Sequence, residues 1–159
     1  MSSNSRPART APSPGSSRVS AARPAISRPA ARADFARTFA ALRDVLRKYE
    51  RHLIVKGDGP AVYMLATRAR TRTGAQIYFG GARIGKAYVS FHLFSVYACP
   101  ELLAGVPKEL LARMQGKACF HFKTVDAGQL RMLDAITRTG FERFRKEGML
   151  QEIVWDPRG

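Results

Sequence analysis

The chain has 159 residues, with 27 Lys and Arg against 12 Asp and Glu, for a formal net charge of +15. That length, with 45% apolar residues, supports one real core. No stretch reaches the ~20 apolar residues of a membrane helix, and the two cysteines, Cys99 and Cys119, form no CxxC, which argues against a disulfide framework or a zinc ribbon.

The first 33 residues are almost all Ser, Pro, Ala and Arg, with six Arg, no acid and no aromatic. The tail therefore carries +6 and the remainder 15 − 6 = +9. Such a segment buries too little apolar area to offset the entropy of ordering, so residues 1–33 read as a disordered basic tail. Its frequent prolines oppose the amphipathic helix of an organelle transit peptide. The opening residues also lack a secretory leader pattern, and a reducing, cytoplasmic location is the expectation.

The folded domain is expected over residues 34–150, with 151–159 as a C-terminal extension. Asp34 stands as an N-cap, and Phe35, Phe39, Leu42, Leu46 and Tyr49 form one apolar helical stripe ending near Arg51. Leu53-Ile54-Val55 is strand-like, and Gly57-Asp58-Gly59-Pro60 reads as a turn. Val62 to Thr73 is extended, with Arg68, Arg70 and Arg72 alternating onto one face. A hairpin turn at Thr73-Gly74 leads into a strand from Gln76 to Arg83, where Gly80-Gly81 marks a bulge or a close backbone approach. After a turn at Ile84-Gly85-Lys86, Ala87, Val89, Phe91 and Leu93 alternate with Tyr88, Ser90, His92 and Phe94 in a long strand that Pro100 stops. One helical turn follows at Glu101 to Leu103, then a helix from Pro107 through Met114 and a short strand from Ala118 to Lys123. Asp126 and Gln129 open the last helix in a near capping box, its stripe is Leu130, Leu133, Ile136, Phe141 and Phe144, and Gly148 caps its end. The fold class is α+β, an antiparallel sheet with helices packed on one face.

Four segments carry a resemblance: Tyr78-Phe79-Gly80-Gly81, Lys86 to Leu93, Met114 to Lys123, and Gly140-Phe141-Glu142-Arg143-Phe144. Together they resemble the YdhG-like family of small bacterial domains, which is grouped loosely with frataxin-like proteins. The resemblance covers roughly residues 35–150, and Gln115 to Lys123 is its most specific part. The family's usual form has Ser and Asn where this chain has Ala118 and His121. The resemblance implies a compact α+β domain with an antiparallel sheet and brings no catalytic residue with it.

Six constellations bear on function. Gly80 to Ala87 fits a phosphate loop except at its last place, where Ala87 lacks the hydroxyl for magnesium, and alternation rather than a helix follows. Nucleotide hydrolysis is thereby rejected. Cys119 and His121 share a strand face, and with His92 on a neighbouring strand they form a weak candidate set for zinc or copper; a buried cysteine and two ordinary histidines is the simpler account. Iron delivery, suggested by the frataxin grouping, is opposed by a first helix whose Asp34, Asp44 and Glu50 sit among basic residues. Acyl transfer lacks a nucleophile elbow and an orienting carboxylate for Ser90, His92, Cys119 or His121. The basic tail with Arg68, Arg70 and Arg72 offers a nonspecific, salt-sensitive phosphate contact for nucleic acid. Finally, Tyr78, Tyr88, Ser90, His92 and His121 are expected to line an open sheet face as a mixed aromatic and polar wall.

These patterns point to a non-enzymatic binding module for an unknown small molecule or protein, needing no cofactor, with no membrane contact, as a monomer or homodimer. The alternative is a nucleic-acid-associated protein acting through its tail, and a weaker one is an iron or other metal chaperone.

Overall fold

The computed structural model describes residues 28–156. Within that span the chain runs α1 (Arg28–Arg47), β1 (Ile54–Gly59), β2 (Val62–Arg70), β3 (Gln76–Ile84), β4 (Val89–Leu93), α2 (Phe94–Ala98), α3 (Lys108–Leu111), β5 (Met114–Gln115), β6 (Cys119–Phe122) and α4 (Ala127–Lys146). Short 3₁₀ turns occupy Glu50–His52 and Pro100–Leu103. The six strands form one antiparallel sheet in the order β1-β2-β3-β4-β6-β5. The fold is therefore the expected α+β class. Among the described residues no helix is long and apolar enough to cross a membrane.

The first helix differs from expectation at both ends. It begins at Arg28, six residues before Asp34, so residues 28–33 of the expected tail are helical, and the rest of that tail lies outside the described residues. Pro29 is tolerated because a first-turn N–H has no intrahelical acceptor in any case, and Ala30, Ala31 and Ala33 are strong helix formers. Asp34 is thus inside the helix, where its carboxylate takes the Arg37 guanidinium at 2.9 Å. The helix stops at Arg47, and the tighter turn through Glu50 carries the chain to the buried Leu53. Its apolar stripe behaves as read: Phe39, Leu42 and Leu46 are buried, with Phe35 and Tyr49 packed at the margin.

The sheet shows which local signals yielded to pairing. The ladder of β1 and β2 runs on through Gly57↔Met64 and Gly59↔Val62, so the turn is Pro60-Ala61 rather than the glycine cluster before it. Gly80 sits where β3 bulges against β2, and an added Cβ would lie 2.9 Å from the His92 carbonyl oxygen and 3.1 Å from Leu46 Cδ2. Its missing side chain is what lets α1 lie close on the sheet. The strand expected to reach Pro100 ends at Leu93, because residues 94–98 wind into α2. The helix expected from Pro107 through Met114 is a single turn, and Met114-Gln115 joins β6 instead, across a turn in which Gly116 takes a φ of 68°.

All the long apolar stripes converge on one side. Phe79, Phe91, Phe120, Phe122 and Phe144 are fully enclosed together with Leu42, Leu46, Leu65, Leu93 and Leu133. Phe79 meets Phe144 edge-on at 5.8 Å and Phe141 at 5.9 Å, so α4 is keyed to β3 by rings. The capping box at Asp126 is complete: its carboxylate accepts from the Gln129 amide N–H at 2.8 Å, and the Gln129 side chain accepts from the Asp126 N–H at 3.1 Å. Burial, together with a hydroxyl donated to Glu50 at 2.9 Å, pushes the pKa of the enclosed Tyr63 well up.

The domain does not end at Leu150. Arg70 donates its amide N–H to the Ile153 carbonyl and accepts from the Trp155 N–H, both at 2.8 Å, and Trp155 packs against Phe94. Residues 151–155 are therefore part of the folded unit, a correction to the expected extension. The pairing of the chain's far end with β2 leaves no local pattern in the sequence.

Gly140 is the tightest helix contact. A Cβ there would press into Ser95, 2.7 Å from its Cβ and closer still to its hydroxyl. Overpacking of this kind costs about 1–3 kcal/mol, while the Gly-to-Ala propensity gain is about 1 kcal/mol. Gly140→Ala is therefore expected to lower stability in urea unfolding, and to cost less when introduced into Ser95→Gly. An equal cost in both backgrounds would mean that α2 does not press on α4 at this point.

Candidate functional site

Alternation along the central strands decides what faces outward. Val89, Phe91 and Leu93 of β4 point into the core, so Ser90 and His92 point away from it. In β6 Phe120 and Phe122 are buried, so Cys119 and His121 point away. Register then sets these side chains in rows across the strands. Arg83 stands opposite Ser90, and Ser90 opposite His121. In the next row Gly81 faces His92, and His92 faces Cys119. Among the described residues, the sheet surface that no helix covers is therefore the polar and aromatic one.

The β3–β4 hairpin supplies the end of this surface. Gly85 closes the turn by donating its N–H to the Tyr88 carbonyl at 2.8 Å, and a Cβ on Gly85 would stand 3.1 Å from that same oxygen. Residues 80–84 are strand and no helix follows Lys86, so the near-match to a phosphate loop has none of that motif's geometry. The turn instead delivers Arg83, Lys86 and Tyr88 to one edge of a groove of about 600 Å³, completed by Ile84, Gly85, Ser90, Cys119 and His121. The Tyr88 and His121 rings stack at 3.7 Å with an interplanar angle of 12°. Ser90 Oγ donates to the Arg83 carbonyl at 3.4 Å. Two cations and no carboxylate line this groove, so its field favours anions.

Behind the groove wall, His92 Nδ1 lies 2.9 Å from Cys119 Sγ. In one imidazole tautomer the thiol donates to Nδ1; in the other Nδ1–H donates to sulfur. Burial lowers the His92 pKa and raises that of Cys119, so each group is held toward its neutral form.

The expected wall residues divide into three groups. Tyr88, Ser90 and His121 line the groove together. His92 is one row away and engaged with Cys119. Tyr78 is separate: it pairs with Ala66 beyond the bulge, on the β2 side, and is outside the groove. The proposed convergence of His92, His121 and Cys119 divides in the same way, because the His121 ring is taken by Tyr88. Among the described residues no three His, Cys, Asp or Glu form a metal-holding group.

Arg68, Arg70 and Arg72 do not make one basic row. Arg68 and Arg70 are exposed on β2, but Arg70 donates to the Gly74 carbonyl at 3.1 Å, and Arg72 lies in the turn, 3.4 Å from the Asp156 carboxylate. Reading the sequence missed Arg83 and Lys86 as site residues. Their signal was present: a tight turn between two alternating strands puts the residues flanking it at one end of the outward face.

A second concavity, about 680 Å³, lies on the helix side between Phe94, Tyr97, Cys99, Trp155 and the Arg143–Glu147 ion pair. Its arginine is already neutralised at 2.7 Å, so it lacks the free positive field of the sheet groove.

Comparison of the chain with models of known families, with curated proteins and with solved structures finds no match in any of the three.

The lowered His92 pKa makes a stability prediction. The unfolded chain binds the proton first as pH falls, so the folded state loses stability from about pH 6.5 downward through the lowered native value. Urea midpoints measured against pH should fall over that window in the wild type, and His92→Gln should flatten that segment. A slope unchanged by the substitution would assign the titration to other groups.

Proposed function

We propose that this chain is a small non-enzymatic binding domain, bacterial, cytoplasmic and of the YdhG-like kind, whose open sheet face holds a small anionic ligand beside His121. The observation that carries this is the groove's composition: Arg83 and Lys86 at one edge, the Tyr88–His121 stack as a wall, Ser90 as a hydroxyl partner, and no carboxylate among the lining residues. Guanidinium and ammonium groups recognise phosphate or carboxylate, and the stacked rings offer a planar face to an aromatic body. A ligand with both features uses the whole site.

The nucleic-acid alternative has less behind it. Most of the basic tail lies outside the described residues, and of the three arginines Arg68 and Arg70 are on β2 while Arg72 is in the turn after it, paired to Asp156. For a metal chaperone, no three His, Cys, Asp or Glu group together among the described residues, and Glu50 on the first helix side is engaged with Tyr63 and Arg47.

Titration of the labelled protein with 4-nitrophenyl phosphate, followed by amide chemical shifts, tests the proposal. Shifts should map to residues 83–90 and 119–121 and weaken with added salt. Exposed charge contacts contribute about 0.2–1 kcal/mol each, so Arg83→Ala with Lys86→Ala should weaken binding by up to about thirtyfold. Shifts that map elsewhere, or that persist unchanged in the double variant, would overturn it.

A further inference from the structure

We propose that Cys119 is a reactive thiol that captures small anionic disulfides as a mixed disulfide, with His92 accepting the thiol proton and Arg83 and Lys86 holding the disulfide's negative charge. The charge-holding part rests on the groove reading above; the part played by His92 does not.

The two cysteines occupy different surroundings. Cys99 is buried on the helix side, and burial pushes its thiol pKa up without any imidazole beside it. Cys119 is only partly covered and lines the anion-favouring groove. Its sulfur lies 2.9 Å from a nitrogen that can take a proton. Burial also disfavours a standing thiolate at Cys119, so the sulfur reacts only if its proton leaves as the new bond forms. His92 is suited to that role because burial keeps it neutral at physiological pH and within reach of the sulfur.

The step balances without any further reagent. Cys119 Sγ attacks one sulfur of the disulfide, and the Sγ–S bond forms as the S–S bond breaks. The thiol proton passes to His92 Nδ1, and the second half of the disulfide departs as a thiolate. The disulfide is the oxidant and is reduced by one thiolate equivalent. An anionic disulfide is favoured twice: Arg83 and Lys86 raise its local concentration, and they offset the charge of the departing thiolate. His121 and Tyr88 are the remaining wall against which an aromatic disulfide can lie.

The experiment uses the full, reduced chain with two probes: the anionic aromatic disulfide 5,5′-dithiobis(2-nitrobenzoate) and the neutral 4,4′-dithiodipyridine, each followed by release of its chromophore. A fast phase of one equivalent is expected with both probes, absent in Cys119→Ser and retained in Cys99→Ser. At neutral pH its rate should exceed that of N-acetylcysteine by about tenfold or more, and His92→Gln should remove that advantage with both probes. Arg83→Ala with Lys86→Ala should slow the anionic probe about tenfold at low salt and leave the neutral probe unchanged. A fast phase that survives in Cys119→Ser overturns the proposal, as does a wild-type rate at or below that of N-acetylcysteine. The comparison with N-acetylcysteine needs no variant, so a folding defect in His92→Gln leaves the test intact. If both probes slow equally, or neither does, in the Arg83/Lys86 variant, the groove reading fails while the His92–Cys119 chemistry stands.

Discussion

Each central strand of this sheet has one face in the core and one face out of it, and the period of two along an extended chain allows no compromise. Phe91 and Phe120 are opposite one another in the register and fully enclosed, which forces Ser90, His92, Cys119 and His121 to the other surface. A slip of one residue in either strand would bury the imidazoles and expose the phenyl rings. The aromatic core and the polar groove are thus one constraint seen from its two sides.

The core resists such a slip because its contacts are particular rather than merely greasy. Phe79 is met by Tyr49, Phe141 and Phe144, which belong to elements far apart in the chain. Two small residues make these approaches close. Gly80 lets the first helix settle on the sheet, and Gly140 lets the short helix after β4 reach the last one. The C-terminal residues then extend the end of β2 and bring Trp155 against Phe94. The C-terminal end of the described unit is in this way bound to the sheet.

Electrostatics separates the two concave surfaces. On the helix side Arg143 is matched by Glu147, and the local charge is balanced. On the sheet side Arg83 and Lys86 face a wall of tyrosine, serine, cysteine and histidine. With a chain of net charge +15, the sheet groove is a place where a positive field meets a shaped surface. The His92–Cys119 contact adds a proton donor and acceptor at the same place.

The amino-acid order alone determined the α+β class, the alternation that makes β4 and β6 two-faced, the D-x-x-Q start at Asp126 that the structure completes as a capping box, and the stripes of the first and last helices. These are local properties, written in spacings of two, three and four residues. It also set Ser90 with His92, and Cys119 with His121, on one face of their strands. Tertiary structure alone decided the rest. It extended the first helix back to Arg28, turned residues 94–98 from strand into helix, and gave Met114-Gln115 to the sheet. It moved Tyr78 out of the site and brought Arg83 and Lys86 into it. It also set His92 against Cys119, 27 residues away, while leaving His121 to Tyr88. The reason is the same in each case: which strand lies beside which, and in what register, depends on contacts between distant segments, and no local periodicity carries that information.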